Sequence, residues 1–384
     1  MTISHSHSLW GAAAAALLLS SLSTSAHAQP SLDDCSLAQT VPRDEYLPGP
    51  LYEIPIVVHI IMDSACVQGA LTDEQVEDQI RVLNEDFLAL PGTNGEAGFD
   101  SQIQFALATE DPTGAPTTGI TRSCNDTWYA DNGDYWLSLA WDPHRYLNIY
   151  SHSAAGASGY VSFLPALDID RVGQLDDRLI LNHLAVGTGG PIQRRSLGRT
   201  GTHEIGHYLG LFHTYYEGCG LADEPDCYQS GDRICDTAPN AASSNGCPTG
   251  LTVCGGALAP VENYMDQTDD DCRTGFTREQ VQRMRCTLMH YRPTLVREIG
   301  TTGPPDAGVD GGMSADAGVA IDAGVAVDAG MTVDAGMTVE EPTDGCGCRL
   351  GGGHHRGEPA APWLLAMLGL LACRLYRRRT NTVH

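Results

Sequence analysis

The segment that most restricts how this chain can fold is GTHEIGHYLGLFH, residues 201–213. His203 and His207 are four residues apart, so on an α-helix their imidazoles point from one face toward a common centre. A continuing helix cannot bring His213, six residues further on, to that centre. Gly210 tolerates a positive φ, which predicts that the helix ends there and that the chain turns back to deliver His213.

Three imidazoles at one centre form a metal-ligand set and predict Zn²⁺ as the cofactor. They leave one coordination position for water, whose pKa falls from 15.7 to about 7. Glu204 follows the first histidine, and we expect it to act as general base, taking that water's proton and passing it to the leaving amine of a peptide bond. The substrates would then be proteins or peptides.

The alternative is a surface binding or adhesion module in which zinc only stabilises the fold. A structural zinc site would favour four protein ligands with cysteines among them, and it would not need Glu204. The histidine segment therefore favours a zinc endopeptidase.

The flanking segments predict a mixed α+β domain. LYEIPIVVHIIM is apolar and β-branched, as in a buried strand, and shorter strands are predicted at IQFAL, YLNIY, GYVSF and RLILN. LTDEQVEDQIRVLNEDF and TREQVQRMRCTLMHYR have helical spacing, and each begins with a T-x-x-Q capping box. The chain between the histidine segment and the second of these helices is rich in Gly, Asp, Pro and Cys, which indicates loops held by cross-links.

Composition divides the chain into five parts. Residues 1–28 are typical of a secretory signal, because an Ala/Leu-rich run precedes small residues that end at Ala28. The remaining parts are a short N-terminal or pro-segment (29–50), the catalytic domain (51–298), an Asp-Ala-Gly spacer (299–345) and a C-terminal tag (346–384). The apolar run of the tag, at 360–373, is short for a membrane span, which takes roughly twenty residues.

Export implies an oxidising compartment, and ten of the thirteen cysteines lie between Cys35 and Cys286, an even number that favours disulfides. The formal net charge of −26 argues against a nucleic-acid partner and suits cation binding or basic substrates. We expect a monomer.

HEIGHYLGLFH, followed by NYMD at 263–266, resembles the metzincin pattern of three histidines and a methionine turn. The surrounding GRTGTHEIGHYLGLFHTY, GDRICDTAPN and ENYMD resemble the pappalysin family of ulilysin-like secreted metalloproteases, from about Leu51 to Arg292. The resemblance implies an N-terminal mixed twisted sheet with backing and active-site helices, and a loop-rich, disulfide-bonded C-terminal subdomain ending in a helix. It makes Met265 the hydrophobic base beneath the zinc. The C-terminal tag resembles myxobacterial sorting tags and implies attachment to the outer surface.

The resemblance also implies a calcium site and a specificity pocket. Asp232, Asp236 and Thr237 are the candidate Ca²⁺ donors. Asp271, or alternatively Asp270, would bind Arg or Lys just after the cut, although these aspartates equally suit calcium or solvent. Gln267 stands where the family commonly has a tyrosine, which puts the rate in doubt but not the reaction type.

For the cysteines, the resemblance suggests that Cys219 or Cys227 joins Cys272 and that Cys247 joins Cys254. Cys35 has two interpretations, since its thiolate would suit the open zinc position of a latent form, or it forms a disulfide with Cys66, Cys124 or Cys286.

Overall fold

A computed structural model describes Met1, residues 29–220 and residues 226–299. The predicted spacer beyond residue 299, the C-terminal tag and almost all of the signal segment lie outside these residues. Within the described part, no helix is long and apolar enough to cross a membrane.

The fold is organised around one strand, β1 (Leu51–Met62), which is buried along nearly its whole length. The sheet has the order β2-β1-β4-β6-β5, and β3 and β7 also pair with β1. The other strands are β2 (Ile103–Leu107), β3 (Ile120–Cys124), β4 (Leu147–His152), β5 (Gly159–Val161), β6 (Leu179–Asn182) and β7 (Arg297–Ile299). All pairs are parallel except β5 with β6 and β7 with β1. A continuous apolar run suits a central strand that is covered on both faces.

Three longer helices accompany the sheet: α1 (Asp73–Phe87), α4 (Arg199–Tyr208) and α5 (Arg278–His290). The short helices α2 (Asp126–Tyr129) and α3 (Trp136–Leu139) lie between them in the chain. Both predicted capping boxes are present, with Thr72 before α1 and Thr277 before α5. The apolar face of α1 joins the same core as the inward face of α5, through Val76, Ile80, Leu83 and Phe87 on one helix and Val281, Met284 and Leu288 on the other.

The two halves of the domain differ, as the sequence predicts. Between α4 and α5 the described residues contain only one short 3₁₀ helix, Cys254–Gly256, and otherwise form loops. The loop-rich part ends in helix α5, as predicted, and the short strand β7 then returns to the N-terminal sheet and pairs with β1 from Leu51 to Glu53. All three residues of β7 are exposed, so they give no apolar pattern from which a strand could be predicted.

Candidate metal centre

Helix α4 and the turn after it bring three imidazoles together. Nε2 of His213 lies 3.2 Å from Nε2 of His203 and 3.1 Å from Nε2 of His207. A tetrahedral zinc ion with Zn–N distances of about 2.0–2.1 Å holds its nitrogen ligands roughly 3.3 Å apart. The spacing of the three nitrogens therefore fits Zn²⁺.

The opposite ring nitrogens fix which way two of these lone pairs point. Nδ1 of His203 donates to the carbonyl oxygen of Tyr264 (2.6 Å), and Nδ1 of His207 donates to that of Leu211 (2.8 Å). A carbonyl only accepts, so the proton is on Nδ1 and both Nε2 atoms present lone pairs to the centre. One proton on His213 could serve only one of these lone pairs, whereas a metal ion serves all three imidazoles.

The imidazoles are also held in the neutral form that binds metal. Burial lowers the pKa of His207 to about 4. Burial, and then the neighbouring imidazoles, hold the pKa values of His203 and His213 well below the ordinary value. A neutral imidazole keeps its lone pair, so the three rings offer ligands at neutral pH.

The turn that delivers the third imidazole is a helix-terminating motif centred on Gly210, whose φ is +94°. The amide of Leu211 donates to the carbonyl of Gly206, and the amide of Gly210 donates to that of His207, which is the Schellman pattern. A side chain at Gly210 would be strained by this φ and would also bring its Cβ within 2.4 Å of Oγ1 of Thr287.

Glu204 follows His203 in α4, and its side chain is fully buried. Neither carboxylate oxygen has a hydrogen-bond partner among the described residues. Burial raises the pKa of this carboxyl to about 8, and the positive charges of Arg273 and Arg195 oppose that rise. A buried carboxylate without a partner is costly, so its place here calls for a function.

Met265 is fully buried and its sulfur packs against Gly206 of α4. A Cβ on Gly206 would come within 2.5 Å of its sulfur, so only glycine lets the methionine pack this closely against the helix. The preceding residue, Tyr264, supplies the carbonyl that orients His203. The methionine turn therefore packs against α4 and supplies a hydrogen bond that orients His203.

A buried ionic network at the start of α4 was not anticipated from the sequence. Oδ2 of Asp270 accepts hydrogen bonds from the amides of Leu197 and Arg199, and Oδ1 pairs with Arg273. A carboxylate at a helix N-terminus satisfies free amides and complements the helix dipole. Asp270 is 0% exposed, and its two oxygens are already engaged, so it is not available to a substrate. Asp271, in contrast, is exposed.

A second buried carboxylate holds the other side of the helix. Asp86 of α1 pairs with Arg199 at 3.2 Å and accepts a hydrogen bond of 2.7 Å from Thr202. The sequence signal for it is an acidic residue next to Phe87, at the end of the apolar face of α1.

The predicted calcium donors belong to one loop with unequal burial. Asp232 is buried and accepts a hydrogen bond of 2.7 Å from Oγ1 of Thr237. Burial raises the pKa of Asp232 to about 7, and the negative charge of Asp236 adds to the rise. Asp236 is exposed and accepts from the amide of Glu279, in the first turn of α5.

The disulfide pairs suggested by resemblance are wrong. The structure joins Cys219 to Cys254 and Cys247 to Cys272, and it also contains Cys227–Cys235, Cys66–Cys124 and Cys35–Cys286. The chain after the methionine turn runs beside Gly246, whose carbonyl accepts from the amide of Asp269, and this brings Cys272 to Cys247. The thiolate interpretation of Cys35 is also wrong here, because this cysteine is bonded to Cys286 of α5.

Known proteins resemble this chain in sequence and in fold. The family model for pregnancy-associated plasma protein-A (Peptidase_M43) matches residues 132–289. An extracellular metalloprotease of Pyricularia oryzae is 34% identical over 248 residues, covering 62% of this chain and 76% of the relative. Extracellular metalloprotease 1 of Coccidioides posadasii is 31% identical over 247 residues, covering 62% and 78%.

Two solved structures of a Tannerella forsythia enzyme share the fold. Mature mirolysin in complex with a cleaved peptide has a TM-score of 0.53 and 29% identity, covering 65% of this chain and 96% of that one. A mutant of promirolysin has a TM-score of 0.55 and 29% identity, covering 66% and 86%.

Proposed function

This chain belongs to the pappalysin family of metzincin metalloendopeptidases, and we propose that it hydrolyses peptide bonds of extracellular proteins with Glu204 as general base and His203, His207 and His213 as zinc ligands. One observation carries the proposal. Three neutral imidazoles converge beside a buried carboxylate that has no other partner among the described residues. A purely structural metal site would have no use for that carboxylate.

When bound by three neutral ligands, zinc would act as a Lewis acid that polarises the peptide carbonyl and lowers the pKa of the attacking water. Glu204 accepts the proton of the attacking water on a carboxylate oxygen and then delivers it to the nitrogen of the leaving amine. Because the side chain is buried, bulk water does not compete for its carboxylate oxygens, which can then hold that proton. The Tyr264 and Leu211 carbonyls keep His203 and His207 in the tautomer that binds metal.

The test separates the base from the ligands. Glu204→Gln keeps the size of the side chain but removes the base, so casein cleavage should stop while one zinc per chain remains. His213→Ala is the matched variant and should lose both zinc and activity. A Glu204→Gln enzyme that still cleaves casein at the wild-type rate would refute the assignment of the base.

For location, we propose that residues 1–28 direct export and that residues 346–384 attach the enzyme to the cell surface through the 299–345 spacer. The support is the sequence pattern together with relatives that are extracellular. N-terminal sequencing of the exported protein should begin at Gln29, and truncation after residue 345 should move activity from the cell fraction to the medium. Truncated enzyme that stays with the cells would contradict the anchoring role of the tag.

For specificity, we propose that Asp271 favours Arg or Lys just after the cut. The support is its exposed carboxylate, six residues beyond Met265 and next to the bridged Cys272. A guanidinium or ammonium would pair with such a group. A peptide-library cleavage profile should be enriched in basic residues at that position and should lose the enrichment in Asp271→Ala, whereas a wild-type preference for apolar residues would exclude the role.

We also propose that Ca²⁺ binds the loop that contains Asp232, Asp236 and Thr237. The support is that burial and the negative charge of Asp236 raise the pKa of Asp232 there, so its ionisation carries a cost that a cation would remove. Ca²⁺ takes six to eight oxygen ligands, so these side chains would supply part of the set and backbone carbonyls or water the rest.

A further inference from the structure

The link between the second and third zinc-ligand candidates, Gly210 to Phe212, is held from outside by one side chain. Nε of Arg283 donates to the carbonyl oxygen of Gly210 at 2.8 Å. The same guanidinium lies over the ring of Phe212, 4.8 Å from its centroid. Between these two contacts, the carbonyl of Leu211 accepts from Nδ1 of His207. Moving this link would therefore disturb His207 and displace the residue next to Phe212, which is His213.

Arg283 is only 1% exposed, and its other nitrogens reach a different part of the chain. Nη1 donates to the carbonyl of Gln39 (3.1 Å) and to Oγ1 of Thr40 (2.6 Å), and Nη2 donates to the carbonyl of Ser36 (2.8 Å). It forms no ion pair with any described residue. The guanidinium is planar and donates in fixed directions, so it acts as a rigid joint between the Gly210 link and residues 35–40, which we call the N-terminal strap.

The strap is fastened to the helix that carries Arg283. Cys35 is disulfide-bonded to Cys286, less than one turn further along α5. Just beyond the strap, the carbonyl of Arg43 accepts a hydrogen bond of 2.8 Å from the side chain of Gln282. The strap and α5 are thus fixed to each other on both sides of Arg283.

The position of Arg283 also suits the electrostatics of the zinc helix. The carbonyls at the end of a helix have no partners within it, and they carry the negative end of the helix dipole. Arg283 places a buried cation just past this end of α4, at the carbonyl of Gly210, two residues beyond Tyr208.

We propose that Arg283 is a positioning residue for the zinc ligands and that the N-terminal strap is a working part of the metal site. Arg283 holds the Gly210 link against the strap, and this keeps His213 and the Leu211 carbonyl where zinc requires them. The proposal rests on the proposed function, since it takes the three histidines as the zinc ligands. It assigns residues 35–40 to the active enzyme and not to a segment that is discarded.

The test compares two buried arginines of one helix in the full chain. Arg283→Met should raise the zinc dissociation constant about tenfold or more, as loss of an outer support typically does. Arg285→Met is the matched control, because Arg285 is 2% exposed and also donates to carbonyls, those of Ser101 (3.1 Å) and Pro50 (3.3 Å), away from the link. Zinc affinity is measured by competition with a chromophoric chelator, and the folding stability of the metal-free proteins is measured by urea denaturation in EDTA.

The expected result is a similar loss of metal-free stability in both variants and a weaker zinc affinity in Arg283→Met alone. Equal zinc affinities in the two variants would overturn the proposal. If Arg283→Met does not fold, Arg283→Lys and Thr40→Val each remove part of the contacts of Arg283. Both should bind zinc more weakly than Arg285→Met does. Wild-type zinc affinity in both variants would equally overturn the proposal. A wild-type chain that binds no zinc would instead refute the proposed function.

Discussion

Gly159→Ala tests whether the position of Glu204 sets the rate, because this glycine of β5 lies against the side chain of the proposed base. A Cβ at Gly159 would lie 2.9 Å from Cγ of Glu204 and 2.9 Å from Cγ2 of Thr200. Carbon atoms in contact stand about 3.5–4.0 Å apart, so the neighbours must give way by roughly 0.6–1.1 Å. A displacement of about 1 Å at a reacting group costs on the order of 100-fold in rate, or about 2.7 kcal/mol of activation free energy.

The assay measures kcat and KM with a fluorogenic peptide, together with the zinc content and the urea midpoint. We expect kcat to fall about 100-fold with one zinc retained, and the free energy of unfolding to fall by about 1–3 kcal/mol from overpacking. Gly49→Ala is the control, because the nearest atom to its Cβ would be the Leu47 carbonyl oxygen at 4.0 Å. A Gly159→Ala enzyme that keeps both its zinc and its wild-type kcat would show that the position of Glu204 does not set the rate.

Three further predictions concern stability. Removing the Cys35–Cys286 disulfide, which spans 251 residues, should lower the free energy of unfolding by about 4–5 kcal/mol in urea denaturation. A smaller loss than that caused by removing Cys227–Cys235, which spans 8 residues, would contradict this prediction. Burial lowers the pKa of His59 to about 4, so as the pH falls the unfolded chain is protonated at this residue before the folded chain is. The free energy of unfolding should therefore fall by up to about 3 kcal/mol between about pH 6.5 and pH 4. His59→Gln should flatten that pH dependence, and an unchanged profile in the variant would exclude the effect. A calcium-selective chelator should lower the Tm of the wild type but not of Asp232→Asn, and equal shifts in both would place Ca²⁺ elsewhere.

Local sequence patterns predict much of this fold. The α+β class is confirmed. The apolar β1 segment and the capping boxes of α1 and α5 appear at the predicted residues, because strand burial and helix caps depend on neighbours within a few positions. β3 and β7 are not predicted, since each pairs with residues of β1 that are at least 62 positions away in the chain. Only the first residue of β3 and no residue of β7 is buried, so neither segment has a strand-like apolar pattern.

The spacing of the histidines and Gly210 likewise predicts the cluster of three imidazoles, because the geometry of the helix and of its end relates them directly. The residues that hold this cluster in place cannot be identified from the sequence. Asp270 meets Arg199 across 71 residues, and Arg283 meets Ser36 across 247, so no periodicity records these contacts. Disulfide connectivity fails for the same reason, since any cysteine can pair with any other until the loops are placed.

X-ray absorption spectroscopy at the zinc edge on the purified enzyme tests the three-histidine zinc site directly. The spectrum should show one zinc with three imidazole nitrogens at about 2.0–2.1 Å, a fourth ligand of oxygen and no sulfur. The same spectrum in Glu204→Gln, with proteolysis abolished, would complete the expected result. Sulfur at about 2.3 Å, or fewer than three imidazoles, would contradict the assignment of His203, His207 and His213 as the catalytic zinc site.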